Sequence, residues 1–403
     1  MDSDLVARAA LDCLDSLQYR AAHVSGPRRD WTCVAALCIS HDTSDGVDCI
    51  AIGCGLKCLN EREAGHTTVN DSHAEVLCRR AFRRYLLNEI QRCLQGKGSR
   101  VLVQRTEGES PCFELLPSVR LHMYISLPPC GDASLESLAD TLEASGPDGG
   151  SSVDQAARTR FKQEEVRAST TSSAPLRGRN DFSQTGALRT KPGRNDAIPT
   201  RSLSCSDKLA MWQCVGWQGA LLSHMIPEPM ALSTVVVSSK RANLQGLERA
   251  LHLRIADNAL AVPNIVTTAI ECRLAADSVQ YMWPDAKLVT CPHAYFWWKG
   301  ASTGNKGEYV VQGRRQGAAP NKDGVFLPKA LSSVSKTNWF EQFLQVAAQI
   351  PGLNIPREYR AAKLSAQAYQ QRKQELQRQH PIFSQWVGND ALLVDAFEAT
   401  SIE

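Results

Sequence analysis

The chain has 403 residues, 43% hydrophobic and 22% charged, enough for a sizeable buried core in one large domain or a few small ones. Forty-five Lys and Arg against 42 Asp and Glu leave a formal net charge of +3. This excludes a histone-like polycation and requires any nucleic-acid affinity to come from local patches. No apolar run approaches the roughly 18 residues of a membrane span, and the acidic, amphipathic start MDSDLVARAALDCLDSLQ lacks the basic and apolar regions of a signal peptide. The 14 cysteines have no regular spacing, so most are expected reduced. The expectation is a soluble intracellular protein, cytoplasmic or nuclear, with no membrane association and no evident obligatory protein partner.

Residues 4–18 have the apolar spacing of a helix, with Asp2 or Ser3 as N-cap. Strands are predicted at Thr32–Ser40 and Asp48–Gly53, joined by the turn-rich HDTSDG stretch. A long helix is predicted over Ser72–Gln91, punctuated by Arg79, Arg80, Arg83 and Arg84. Val119–Leu127 alternates like a strand and stops at Pro128-Pro129. Residues 145–200 are rich in Ser, Thr, Gly, Asp and Arg and poor in large apolar side chains, so they are read as a mobile insertion. A helix follows in SCSDKLAMWQCVGWQGALLSHM, then a β-branched strand at Leu232–Ser238 and an apolar, aromatic segment at Val289–Trp298. Ser332–Ala348 and the markedly basic Pro356–Gln379 are helical by period.

Three segments carry chemistry. They are Asp71-Ser72-His73-Ala74-Glu75, Leu127-Pro128-Pro129-Cys130-Gly131-Asp132 and Ser204-Cys205-Ser206-Asp207-Lys208. H-x-E followed by P-C is the signature of zinc deaminases, in which His and Cys hold the metal and the Glu moves protons. A catalytic zinc keeps three protein ligands and an open position. Position 133 is Ala, so the P-C-x-x-C pattern is incomplete, and Cys205 is the candidate third ligand beside His73 and Cys130. Two thiolates and one imidazole neutralise Zn²⁺. Each piece also has a plain reading. Ser72-x-x-Glu75 is a capping box, the Cys130 segment is a turn with an inert thiol, and Cys205 is a buried cysteine. The conjunction of the three in order favours zinc. The pairs Cys33/Cys38 and Cys54/Cys58 lack a nearby His and are read as core cysteines.

With Arg79-Arg80 after the first motif, and Trp212, Val215-Gly216 and Gln218-Gly219-Ala220-Leu221-Leu222 after the third, the sequence resembles the adenosine deaminases acting on RNA. It is most similar to their tRNA-specific branch, which converts the adenosine 3′ of the anticodon of alanine tRNA (position 37) to inosine. The resemblance runs from about Leu11 to Phe397. It implies zinc ligands His73, Cys130 and Cys205, with Glu75 as proton shuttle. It also implies a cytidine-deaminase-like α/β fold of three layers: a mixed sheet with helices on both faces and a C-terminal helical part, in one domain over 1–403. The activity implied is hydrolytic deamination at C6 of adenosine in tRNA. Editing of double-stranded RNA is the alternative. It is disfavoured by Asn195-Asp196-Ala197 before Ile198-Pro199, where duplex editors carry a Glu, and by Ser134 in place of a basic contact. A free-nucleoside or cytidine deaminase and a non-catalytic RNA-binding or chaperone-like protein are further rivals, the second opposed by the intact His73, Glu75, Cys130 and Cys205 set.

By the same resemblance an interior cavity holds inositol hexakisphosphate. The matching positions are Asn70, Arg79, Arg80, Lys208, Trp212, Gln218, Lys336, Tyr359, Lys363, Tyr369, Lys373 and Trp386. On spacing alone Tyr359, Lys363, Tyr369 and Lys373 cannot share one helical face, and a solvated basic helix is the competing reading. Lys57, Lys191 and Arg194 are candidate RNA-backbone contacts, with Arg201, Lys299, Arg314 and Arg315 as further surface cations. His122 and His224 are read as satisfied histidines rather than ligands.

Overall fold

The computed structural model describes the chain except residues 1, 18, 21–26, 108–109, 138–174, 179–183, 192–197, 199, 258, 303, 305, 389–394 and 400–403. Its centre is a mixed sheet of eight strands among the described residues. In chain order these are β1 (Val34–His41), β2 (Val47–Cys54), β3 (Val119–Ile125), β4 (Thr234–Ser238), β5 (Asn264–Thr268), β6 (Ala294–Trp298), β7 (Glu308–Val311) and β8 (Arg314–Arg315). The spatial order is β5-β4-β3-β1-β2-β6-β7-β8. The β3-β4-β5 part is parallel and the other pairings are antiparallel.

β1 is buried on both faces, and its alternation sorts side chains into two cores. Val34, Ala36 and Cys38 face α1 (Ser3–Ser16), which buries Val6, Ala7, Ala10 and Leu14. Ala35, Leu37 and Ile39 face the other layer, formed by α2 (Ala74–Leu94), α3 (Cys205–Val215) and α4 (Leu244–Leu251). Each large aliphatic side chain fully buried there contributes about 1.5–3 kcal/mol. A helical part follows: α5 (Lys336–Ala347), α6 (Tyr359–Leu364) and α7 (Gln367–Gln379). This is the three-layer, cytidine-deaminase-like arrangement expected, with its C-terminal helices.

Several boundaries differ from expectation for local reasons. α2 starts at Ala74 rather than Ser72, because Asp71–His73 pairs as a short strand with Leu56–Cys58. The segment Val289–Trp298 divides at Cys291-Pro292. Its first part, Lys287–Thr290, pairs with Arg28–Trp31, and its second is β6. The single helix predicted over Pro356–Gln379 is two, broken at Ser365-Ala366, where Ala366 has ψ 70°. Within 145–200, Leu188, Arg189 and Lys191 are buried, and Arg189-Thr190 pairs with Leu176-Arg177. That part is packed structure; residues 145–174 lie outside the described residues.

α2 lies unusually close to β2. A Cβ on Gly53 would stand 2.3 Å from the Ala74 carbonyl oxygen and 2.5 Å from the Cys78 nitrogen, both backbone atoms that cannot yield. Gly53→Ala is therefore expected to lift the start of α2 from the sheet and cost about 1–3 kcal/mol or more. Urea denaturation checks this; an unchanged midpoint would contradict the packing.

Candidate metal centre and active site

His73 is the N-cap residue of α2, with φ −65° and ψ 147°, and it makes no side-chain cap bond. The capping-box reading of Ser72 and Glu75 is thus not realised. The Ser72 backbone instead pairs with Lys57. Glu75 sits in the first turn and is 3% exposed. Cys205 is the first residue of α3, whose N-cap Ser204 accepts from the Asp207 N–H. Cys130 arrives from the turn after β3. The Cys205 backbone N–H donates to Cys130 Sγ at 3.3 Å, so the Cys130 sulfur rests on a helix N-terminus that favours thiolate. Gly131 has φ 104°, and a Cβ there would stand 2.2 Å from Ser204 Oγ. Only glycine lets this turn approach α3 so closely.

Three elements distant in sequence therefore converge. His73 Nδ1 lies 3.7 Å from Cys130 Sγ and 3.6 Å from Cys205 Sγ. All three donor atoms lie within 4.8 Å of one another, a group able to hold a metal ion. Burial, then the neighbouring Cys130, raises the Glu75 carboxyl, opposed by His73 and Lys191. Cys130 is held well below the usual thiol range, first by its hydrogen bond with Cys205, against the cost of burial. Cys205 is pushed well above that range by burial.

Behind the sulfurs lies a charged network that sequence reasoning missed. Asp71 Oδ2 accepts from Lys191 Nζ at 2.7 Å, Ser202 Oγ at 2.7 Å and Lys208 Nζ at 2.5 Å. Lys191 Nζ also donates to Cys205 Sγ at 3.3 Å. Burial opposes the Asp71 charge, yet Lys191 and Lys208 hold its carboxyl well below the usual carboxylate range. The reading of Lys191 as an RNA contact is corrected by this. At 3% exposure its ammonium is enclosed and committed to Asp71 and Cys205.

Lys208 opens onto a cavity of about 500 Å³. Of the twelve positions expected there, ten line it: Asn70, Arg79, Arg80, Lys208, Trp212, Lys336, Tyr359, Lys363, Lys373 and Trp386. Tyr359, Lys363 and Lys373 face the same space, as expected of positions that fall within about 80° of one another at about 100° per residue. Tyr369 packs half-buried against the core, close enough to bear on the charges of Arg79, Arg83 and Lys363. One expectation is corrected. Gln218 is fully buried as a loop brace, donating to the carbonyls of Ile226 and Glu228 and accepting from the Met230 N–H.

Arg83 and Asp395 also line the cavity and were not anticipated. The spacing of Arg79, Arg80 and Arg83 on one helix face was an available signal for the first. Burial lowers Arg79 to about 9, Arg83 to about 10 and Lys336 to about 8. Asp395 accepts from both Lys336 and Lys363. Arg83 Nε and Trp339 Nε1 are buried with no hydrogen-bond partner among the described residues.

Of the remaining candidates, Lys57 is exposed and donates to Thr290 Oγ1 at 2.7 Å, while Arg194 and Asn195 lie outside the described residues. His122 Nε2 shares a 2.9 Å hydrogen bond with Ser40, while its buried Nδ1 has no partner among the described residues, and His224 Nε2 lies 2.9 Å from the Ala362 carbonyl; neither belongs to the metal-binding group.

Asp71→Asn leaves the buried Lys191 and the partly buried Lys208 ammonium groups without their carboxylate, and is expected to cost about 3–5 kcal/mol. A depressed carboxyl contributes stability above its ordinary value near 3.9, and that stability is lost as pH falls. The variant should therefore lose stability at neutral pH and show a flatter acid limb. Equal stability at pH 7 would refute the network's role.

The family model for the adenosine-deaminase (editase) domain matches residues 51–390. The chain is 28% identical over 328 residues to tRNA-specific adenosine deaminase 1 of Drosophila melanogaster, covering 80% of this chain and 77% of the relative. It is 32% identical over 253 residues to the Schizosaccharomyces pombe protein of that name, covering 61% and 60% respectively. It is 26% identical to the Homo sapiens protein, covering 90% and 93%. The matched span holds His73, Glu75, Cys130 and Cys205, and the chain belongs to the adenosine-deaminase (editase) domain family.

Proposed function

We propose that this enzyme hydrolytically deaminates adenosine to inosine in tRNA with a zinc ion held by His73, Cys130 and Cys205, and that its target is adenosine 37 of alanine tRNA. The carrying observation is the convergence of one imidazole and two sulfurs beside the buried carboxyl of Glu75. The donor set fits zinc. Zn–N near 2.05 Å and Zn–S near 2.3 Å at tetrahedral angles give an N···S edge of about 3.6 Å, against the 3.6 and 3.7 Å found. Bound there, zinc supplies the Lewis acidity that makes water nucleophilic at neutral pH.

The protein's own part is proton handling and positioning. Glu75 lies two residues after the ligand His73, closed off from bulk water. It accepts the proton lost by water, passes it to the purine ring nitrogen, and then assists departure of ammonia at C6. Cys130 is steadied by the α3 N-terminus and Cys205 by Lys191, so the ligand atoms are positioned before substrate arrives. An anticodon loop presents bases already unpaired, so little unstacking energy opposes entry. Lys57, at the surface one strand from His73, and Arg194 are proposed backbone contacts. The fourteen unpaired cysteines suit a reducing intracellular compartment, cytoplasm or nucleus. The enzyme is proposed to act without an obligatory protein partner.

Inositol hexakisphosphate is proposed for the 500 Å³ cavity. The cavity's cations outnumber its carboxylates Glu61, Asp71 and Asp395, and burial desolvates Arg79, Arg80, Arg83 and Lys336. The orphaned Arg83 Nε and Trp339 Nε1 are donors awaiting oxygen acceptors. A polyphosphate there becomes part of the folding free energy.

Glu75→Ala should abolish inosine formation in a tRNA panel sequenced for A-to-I changes while zinc content stays near wild type. Retained turnover would end the shuttle role, and a preference for long duplex RNA in the same assay would favour the duplex-editing alternative.

Phosphorus analysis of the denatured protein should find several phosphates per chain; none would remove the polyanion. The pH dependence is a second check. Lys336, lowered to about 8, binds fewer protons folded than unfolded up to about 10.4. Stability of ligand-free protein should therefore rise with pH through that window. Polyanion binding favours the charged lysine, so the added stability of the loaded form should shrink over the same range. A pH-independent difference would contradict the cavity assignment.

A further inference from the structure

α2 carries two adjacent arginines that point to different cavities. Arg83 lines the central cavity, whereas Arg84, turned by about 100° along the helix, lines a second one of about 560 Å³. That cavity lies between the second half of α2, the ends of β2 and β6, and α5. It is some 15 Å along the helix from His73, on the far side from the metal centre.

The charges of its rim are satisfied. Asp48 accepts from Lys299 Nζ at 3.0 Å and pairs with Arg100 at 3.4 Å. Glu89 accepts from Ser99 Oγ at 2.6 Å and pairs with Arg92 at 3.7 Å. Arg84 differs. It is 6% exposed, and neither Nε nor Nη1 has a hydrogen-bond partner among the described residues. Its guanidinium lies 5.2 Å from the ring centroid of Trp298, which is 8% exposed and whose Nε1 is also buried without a partner. Glu308 is close enough to favour the Arg84 charge, but its carboxylate serves the Ser333 N–H and Arg315. Two nine-tenths-buried donor groups thus line one cavity without acceptors among the described residues, an unfavourable state that a bound acceptor would relieve. Ile39, Ile50 and Tyr85 give the same space an apolar floor.

We propose that this cavity is a second anion site that binds a small phosphomonoester, its phosphate oxygens accepting from Arg84 and Trp298 Nε1 and its organic part lying on the apolar floor. Arginine offers a planar fork to phosphate, the indole adds one donor, and the volume suits a mononucleotide. The site is independent of the metal centre and of the central polyanion.

Calorimetry on the full chain as purified tests it, with inorganic phosphate, adenosine 5′-monophosphate and adenosine as probes. Saturable binding of phosphate and tighter binding of the nucleotide, with none of adenosine, is expected. Equal affinity for phosphate and nucleotide would reduce the site to free phosphate and overturn the phosphomonoester assignment. Arg84→Gln should weaken nucleotide binding roughly tenfold or more. Arg84→Lys, which keeps the charge but loses the fork, should weaken it less and serves if the first variant fails to fold. Added inositol hexakisphosphate fills only the central cavity and should leave this binding unchanged. No saturable binding by wild type at millimolar probe, or binding lost on adding inositol hexakisphosphate but kept with the Arg84 variants, would overturn the proposal.

Discussion

Asp71 keeps its charge at 4% exposure because Lys191 and Lys208 both donate to it. Removing any one of the three would leave a desolvated ion, and the cost of that state holds together parts of the chain far apart in sequence. Lys191 comes from the segment before α3 and touches the Cys205 sulfur. Lys208 lies on α3 and opens onto the central cavity. Asp71 lies two residues before His73 on the same strand. One carboxylate therefore couples a metal-binding group to a cationic interior through direct hydrogen bonds. Charges at both ends of that chain bear on the same proton donors.

Backbone approach does the rest. The turn at Gly131 lies against the start of α3, and α2 rests on β2 at Gly53, each contact too close for a side chain. The result brings the first turns of two helices to the same point. A thiolate on one helix N-terminus and a carboxyl in the first turn of the other both gain from oriented N–H groups. The sheet contributes rigidity, since β1 and β3 are buried on both faces and hold the cysteine turn from behind.

The parts legible in the sequence were those whose chemistry is local. His73-x-Glu75 and Pro129-Cys130 are short and typed, and Ala133 ruled out a third ligand from the same turn, which left Cys205. β1 and β4 were legible from their apolar runs and α1 from its period. The role of Lys191 was not legible. It sits in a polar stretch that composition marks as loop, and only tertiary pairing with Asp71 explains its burial. The break at Ala366 was hidden because the period of α6 continues into α7 with little change. Gln218 was misplaced for the opposite reason: it stands beside cavity residues in sequence, while its amide is used up by loop carbonyls.

The most direct test of the account is elemental analysis of the purified chain beside its Cys205→Ser variant. One zinc per chain in the wild type, sharply reduced in the variant together with inosine formation, is the predicted result. Active wild-type protein without stoichiometric zinc, or a variant that keeps both metal and activity, would contradict it.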